Sequence, residues 1–90
     1  MLKPVYTKQF AKDIKRAQKR NKNLDKFKII ATTLLNGEPL DELHRDHNLI
    51  GNYSDRRECH IESDWLLIYK TVEDRIIFER MGSHADLFGR

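Results

Sequence analysis

Arg80, His84 and Phe88 fall within one short tract, Arg-Met-Gly-Ser-His-Ala-Asp-Leu-Phe, directly after an apolar run. The tract places a fixed cation, an imidazole and an aromatic ring at one strand end. Upstream, His47 stands in Arg-Asp-His-Asn-Leu, and His60 with Asp64 in Cys-His-Ile-Glu-Ser-Asp-Trp. Cleaving an RNA phosphodiester without a metal requires a base for the 2′-hydroxyl proton, an acid for the 5′-oxygen and a cation to steady the phosphate. Imidazole, with an ordinary pKa of ~6.5, serves the first two, each positioned transfer contributing ~10² to 10⁴ in rate. Arginine serves the third, through a planar fork matched to two phosphate oxygens. His47, His60, Asp64 and His84 are therefore the candidate catalytic groups and Arg80 the candidate phosphate ligand. Trp65 and Phe88 offer faces for unstacked bases.

Taken singly, these residues have plainer readings. Trp65 and Phe88 suit a core, Asp64 a turn, and His60 is a cross-strand partner of Trp65 if Glu62-Ser63 is a two-residue turn. The signal is their coincidence near one sheet edge. A metal site is the rival, with His44 and His47 or His60 and Asp64 as ligands, but no third ligand stands at motif spacing. No metal or cofactor is expected, and His44 reads as solvent-exposed. Gly-rich phosphate loops and nucleophile elbows are absent from the sequence.

Ninety residues make one domain, 1–90, too small to surround a large substrate, so the site should be a shallow groove. No apolar run approaches a membrane span, no signal peptide opens the chain, and the single Cys59 reads as a half-buried strand residue; a cytoplasmic protein is expected. The net charge of +3 conceals a segregation. Residues 1–28 carry ten Lys or Arg against Asp13 and Asp25, whereas the remainder is acidic on balance. A polyanion-binding face is implied, nucleic acid before membrane.

Pro4-Val-Tyr-Thr reads as a short extended opening, and Thr7 as a helix cap. Phe10, Ile14, Ala17 and Asn21 then share one helical face, while Lys8, Lys12, Lys15, Arg16, Lys19 and Lys22 gather opposite, a cationic surface for a polyanion. Asn23 caps a second helix through Leu24, Phe27, Ile30, Ala31 and Leu34, stopped at Gly37; the short connection predicts an antiparallel helix hairpin. Residues 41–52 read as an ordered loop pinned by Leu40, Leu43 and Leu49. From Tyr53 the period becomes two, giving three antiparallel strands with Trp65 to Tyr69 at the centre and the helix pair on one face. The predicted class is α+β, in the order strand, helix, helix, three strands.

Three strings, Asp46-His47-Asn-Leu-Ile-Gly51, Arg57-Glu-Cys-His60-Ile-Glu-Ser-Asp64-Trp65 and Phe78-Glu-Arg80-Met-Gly-Ser-His84-Ala-Asp-Leu-Phe88, closely resemble the YafQ branch of the RelE superfamily of bacterial toxins. The opening Lys8-Gln-Phe-Ala-Lys-Asp-Ile-Lys matches as well, so the resemblance spans nearly the whole chain. It implies a microbial ribonuclease-like fold and an mRNA interferase of a type II toxin-antitoxin pair, cutting message in the ribosomal decoding site. The implied partners are a DNA-binding antitoxin, the ribosome with its mRNA, and operator DNA through the antitoxin alone, with no membrane. By the same resemblance His47, His60, Asp64 and His84 align with acid-base and phosphate-contact residues and Arg80 with a phosphate-binding arginine. His84 is the expected acid, His47 or His60 lies near the 2′-hydroxyl, and Asp64 assists. After Gly51 this chain departs from the family pattern with Asn52-Tyr53-Ser54-Asp55. The alternative to an enzyme is a non-catalytic RNA-binding module or a co-repressor that acts through an antitoxin.

Overall fold

Thr7 is where the chain passes from strand to helix. Its hydroxyl accepts from the Phe10 N–H at 3.0 Å and so caps α1 (Lys8–Lys19). The same hydroxyl donates to the Glu79 carbonyl at 2.9 Å, fastening the helix start to the far end of the sequence. The computed structural model describes residues 1–51 and 55–89. The expected change of period at Tyr53 and the Asn52-Tyr53-Ser54 departure fall outside the described residues.

Ahead of α1 lies β1 (Lys3–Tyr6), and after it α2 (Leu24–Leu35), capped by the Asn23 side chain and ended where Gly37 takes φ 72°. A single 3-10 turn (Glu42–His44) and β2 (His47–Asn48) precede β3 (Arg57–Glu62), β4 (Trp65–Val72), β5 (Arg75–Gly82) and α3 (His84–Phe88). The sheet runs β1-β5-β4-β3-β2, with β4 central as its continuous apolar run predicts. The expected opening strand β1 pairs parallel with β5, and one strand beyond those expected, β2, pairs antiparallel with β3 in the segment read as a loop. Nonlocal parallel pairing leaves no mark in the local pattern, and a two-residue strand is too short for a period.

β4 is buried on both faces. Trp65, Leu67 and Tyr69 join Phe10, Phe27 and Phe78 in the main core beneath α1 and α2. The Phe10 ring lies 5.4 Å from that of Phe27, which meets Phe78 edge-on at 5.6 Å. On the opposite face Leu66 and Ile68 are covered by Leu87, with Leu49 and Phe88 at the margin. That second cover is thin, and it leaves room beside it.

Several expectations shift. Asn21 leaves the buried helix face for the interhelical turn, exposed at φ 58°. Leu43 is 68% exposed and pins nothing, whereas Leu40 and Leu49 do pack. Cys59 is wholly buried rather than half-buried, and burial pushes its thiol pKa up. The tight turn is Ser63-Asp64, not Glu62-Ser63, and with a register shift between His60 and Glu62 it sets His60 opposite Leu66 across the strands instead of Trp65.

One carboxylate is inside. Asp13, 1% exposed, accepts from Arg16 Nη2 at 3.0 Å, Arg80 Nε at 2.9 Å and the Met81 N–H at 3.0 Å. β1 ends opposite Phe78, so beyond that point the β5 edge has lost its strand partner. Side chains along α1 and its cap complete it: Thr7 takes the Glu79 carbonyl, Asp13 the Met81 N–H and Arg16 the Met81 carbonyl at 3.0 Å.

Candidate active site

Register decides which side chains share the thinly covered face. His47 pairs with Glu58, Glu58 with Ile68, and His60 with Leu66, so both histidines stand on the Leu66–Ile68 side. Arg80 reaches that side through a bulge. Tyr69 pairs with Phe78 but Ile68 with Arg80, so Glu79 is the extra residue. Without it, Arg80 would alternate into the core with Phe78.

α3 brings the third histidine. Ser83 and Asp86 form a capping box, Ser83 Oγ accepting from the Asp86 N–H at 3.1 Å and Asp86 Oδ2 from the Ser83 N–H at 2.9 Å. Arg20 on the chain leaving α1 grips Asp86 at 2.6 and 3.1 Å. That grip, with the Ser83 bonds, holds the Asp86 carboxyl well below the usual carboxylate range. Gly82 makes the approach possible, because a Cβ there would meet Arg16 Nη2 at 2.7 Å and the Asp86 Cβ at 2.8 Å. The short helix is thereby bolted to α1 with His84 at its first position.

The three imidazoles form a row. Ring centroids of His47 and His60 lie 6.5 Å apart, those of His60 and His84 6.0 Å. Glu58, 6% exposed, sits beneath the first two, its Oε1 at 3.5 Å from His47 Nε2 and 3.7 Å from His60 Nε2. Asp64, at the tight turn, accepts from the His84 backbone N–H at 2.9 Å and from His84 Nδ1 at 2.6 Å. Those two bonds, the backbone one foremost, lower the Asp64 pKa and keep it a carboxylate. His47 Nδ1 donates to the Arg45 carbonyl at 2.5 Å. Carboxylates and carbonyls accept, so Nδ1 carries the hydrogen in both His47 and His84 and leaves Nε2 for exchange with a substrate.

His47, His60, Asp64, His84 and the half-buried Phe88 are thus brought together. Arg80 is adjacent but engaged, its Nε and Nη2 turned to Asp13 at 2.9 and 3.4 Å. Trp65 is a correction: it is 2% exposed, inside the helix-covered core, with Lys22 Nζ 5.6 Å from its ring centroid, and is no base platform. Arg16 and Lys22 also leave the cationic surface, Arg16 for Asp13 and Asp86 and Lys22 for Glu62. Lys8, Lys12, Lys15 and Lys19 remain exposed, with no ion-pair partner among the described residues. Glu58 is the residue that sequence reasoning missed. Its signal was the i, i+2 spacing to His60, which puts both on one face of a strand. Among the described residues no cluster of three His, Cys, Asp or Glu is arranged to hold a metal ion.

A family model for the bacterial toxin YafQ of type II toxin-antitoxin systems matches residues 2–89. The chain belongs to the YafQ family of toxins. The mRNA interferase toxin YafQ of Escherichia coli K12 is 46% identical over 85 residues, 93% of this chain and 92% of that one. At that likeness the family places the chain among endoribonucleases. The crystal structure of YafQ from E. coli BL21(DE3) superposes with a TM-score of 0.93 at 42% identity, covering 99% of this chain and all of that one. YafQ in the E. coli DinJ-YafQ complex gives 0.91 at 43%, with the same coverage. The fold is therefore the α+β, RelE-like one.

Proposed function

We propose that this YafQ-family toxin cleaves messenger RNA held in the ribosomal decoding site, in the cytoplasm, by acid-base chemistry without a metal. The observation that carries the reading is the row of three imidazoles on one face with two carboxylates orienting them. An Nε2 of His47 or His60 takes the 2′-hydroxyl proton, O2′ attacks phosphorus, and the P–O5′ bond breaks as His84, entering the step protonated on both nitrogens, gives its Nε2 proton to O5′. The products are a 2′,3′-cyclic phosphate and a free 5′-hydroxyl. Asp64 accepts from His84 Nδ1 and aims Nε2 outward, while Glu58, beside Nε2 of the other two rings, stabilises the imidazolium formed when one of them takes the proton. Arg80, aimed by Asp13, steadies charge on the phosphate from the sheet edge, and Phe88 offers its exposed part to a base.

The open face is too shallow to fix an RNA in attack geometry by itself, and orientation is worth several kcal/mol. The ribosome supplies it, gripped through Lys8, Lys12, Lys15 and Lys19. An antitoxin is the natural second partner, given the complex that the E. coli relative forms with DinJ, and operator DNA is reached through it. Incubation with translating ribosomes and mapping of message ends tests the reading. Expected are cyclic or 3′-phosphate ends that persist when the toxin is stripped with EDTA and desalted before it meets the ribosomes, and that fall at least ~10²-fold in His84→Gln. Loss of cutting by the stripped toxin, restored by a trace metal, or full activity of the variant, overturns the scheme.

A further inference from the structure

His44 has no place in the YafQ-like motifs, and its sequence context suggests a solvent-exposed residue. The structure holds it half-buried, with Nδ1 2.7 Å from the backbone carbonyl of His60. A carbonyl accepts, so His44 Nδ1 carries the hydrogen and donates. The recipient lies at a weak point of the sheet. β2 pairs with β3 at Arg57 and Glu58, so the His60 carbonyl is two residues beyond the last rung on that edge. On the other side, the β3–β4 register shifts between His60 and Glu62. Strands bend at such irregularities and re-aim the side chains beside them.

The turn that presents His44 is itself well fixed. Asp41 Oδ1 accepts from the Leu43 N–H at 3.0 Å, and Arg45 closes the turn in the left-handed region at φ 48°, ψ 46°. The Arg45 carbonyl receives His47 Nδ1, while Asp46 accepts from the Tyr69 hydroxyl at 2.7 Å and Arg57 Nε at 3.2 Å. One short turn therefore holds His47 by a carbonyl and His60 by an imidazole. The two rings that share Glu58 are set from a single piece of backbone.

We propose that His44 is a positioning residue, its Nδ1–H clamping the His60 backbone and so setting the His60 ring against Glu58 and His47. The kinetic part of the test rests on the cleavage reading above; the spectroscopic part does not. His44→Phe keeps the bulk and removes the donor, and His44→Asn places an amide N–H near the position of Nδ1. Histidine side-chain ¹⁵N–¹H spectra of the full chain should show the Nδ1–H tautomer for His44. The His60 ring resonances should shift in His44→Phe and return in His44→Asn. Single-turnover cleavage on programmed ribosomes should slow about tenfold in His44→Phe with half-saturation within about twofold, and recover to within about threefold in His44→Asn. An Nε2–H tautomer for His44, unmoved His60 resonances in His44→Phe, or parental cleavage by that variant would each overturn the proposal. A parent that cuts no message would sink the cleavage reading alone, and the spectra would still decide whether His44 sets His60.

Discussion

The two faces of one sheet have been put to opposite uses. Beneath α1 and α2 lie Phe10, Phe27, Phe78 and Trp65, packed ring against ring, with Asp13 sealed among its donors. The other face has Leu66, Ile68 and Leu87 for a core and gives its remaining area to three histidines, Glu58 and Asp64. Burying a large apolar side chain is worth ~1.5–3 kcal/mol, so the first face carries most of the stability. The second is free to hold polar groups in geometry that folding does not demand. β4 serves both, because alternate residues of one buried strand point opposite ways.

This division can be broken by measurement. Asp13→Ala should cost the most, ~3–5 kcal/mol in urea unfolding, since it strands Arg80 and the Met81 N–H beside a buried void. His84→Gln on the open face should stay within ~1 kcal/mol of the parent. Comparable losses in the two variants would mean that the faces are not separate in function. Gly82→Ala comes next, at ~1–3 kcal/mol, because its methyl group must displace Arg16 and the Asp86 Cβ. As this shifts α3, cleavage per folded molecule should fall too; an unchanged rate would detach α3 from the site.

Asp86→Asn should cost less than Asp13→Ala or Gly82→Ala, and the sign of its pH dependence follows from linkage. The Asp86 carboxyl is held below its ordinary value chiefly by Arg20, so its contribution is complete above the unfolded aspartate pKa of ~3.9. It is lost as pH falls through the lower, folded pKa. The gap in melting midpoint between parent and variant should therefore be constant from pH 7 to 5 and close below ~4. A gap that widened on acidification would contradict the Arg20 grip.

Much of this could be read in advance, and the misses have physical causes. The helical repeats of Phe10 to Ala17 and Leu24 to Leu34 and the central strand were plain, because burial writes a period into local sequence. Asp13 was hidden, since a lone acid in a lysine-rich helix looks the same whether it is solvated or satisfied by a distant strand edge. Trp65 lies on the core face by parity alone, and His60 exchanged its partner because the turn moved by one residue, from Glu62-Ser63 to Ser63-Asp64, and the register shifts again between His60 and Glu62. Glu58 was passed over and His44 read as solvent-exposed because neither shows its role until register places an imidazole or a carbonyl against it.

The parallel pairing of β1 with β5 joins residues seventy-two apart, Lys3 with Arg75, and it has a consequence in time. Synthesis at ~5–20 residues per second separates the emergence of those two strands by roughly 4 to 14 s. Until β5 arrives, the main core lacks Phe78 and Met81, and the row of imidazoles lacks its third member, which follows β5 directly. A nascent chain thus lacks part of its core and one of the three imidazoles until its end is made, and both faces of the sheet are complete only when the first strand finds the last.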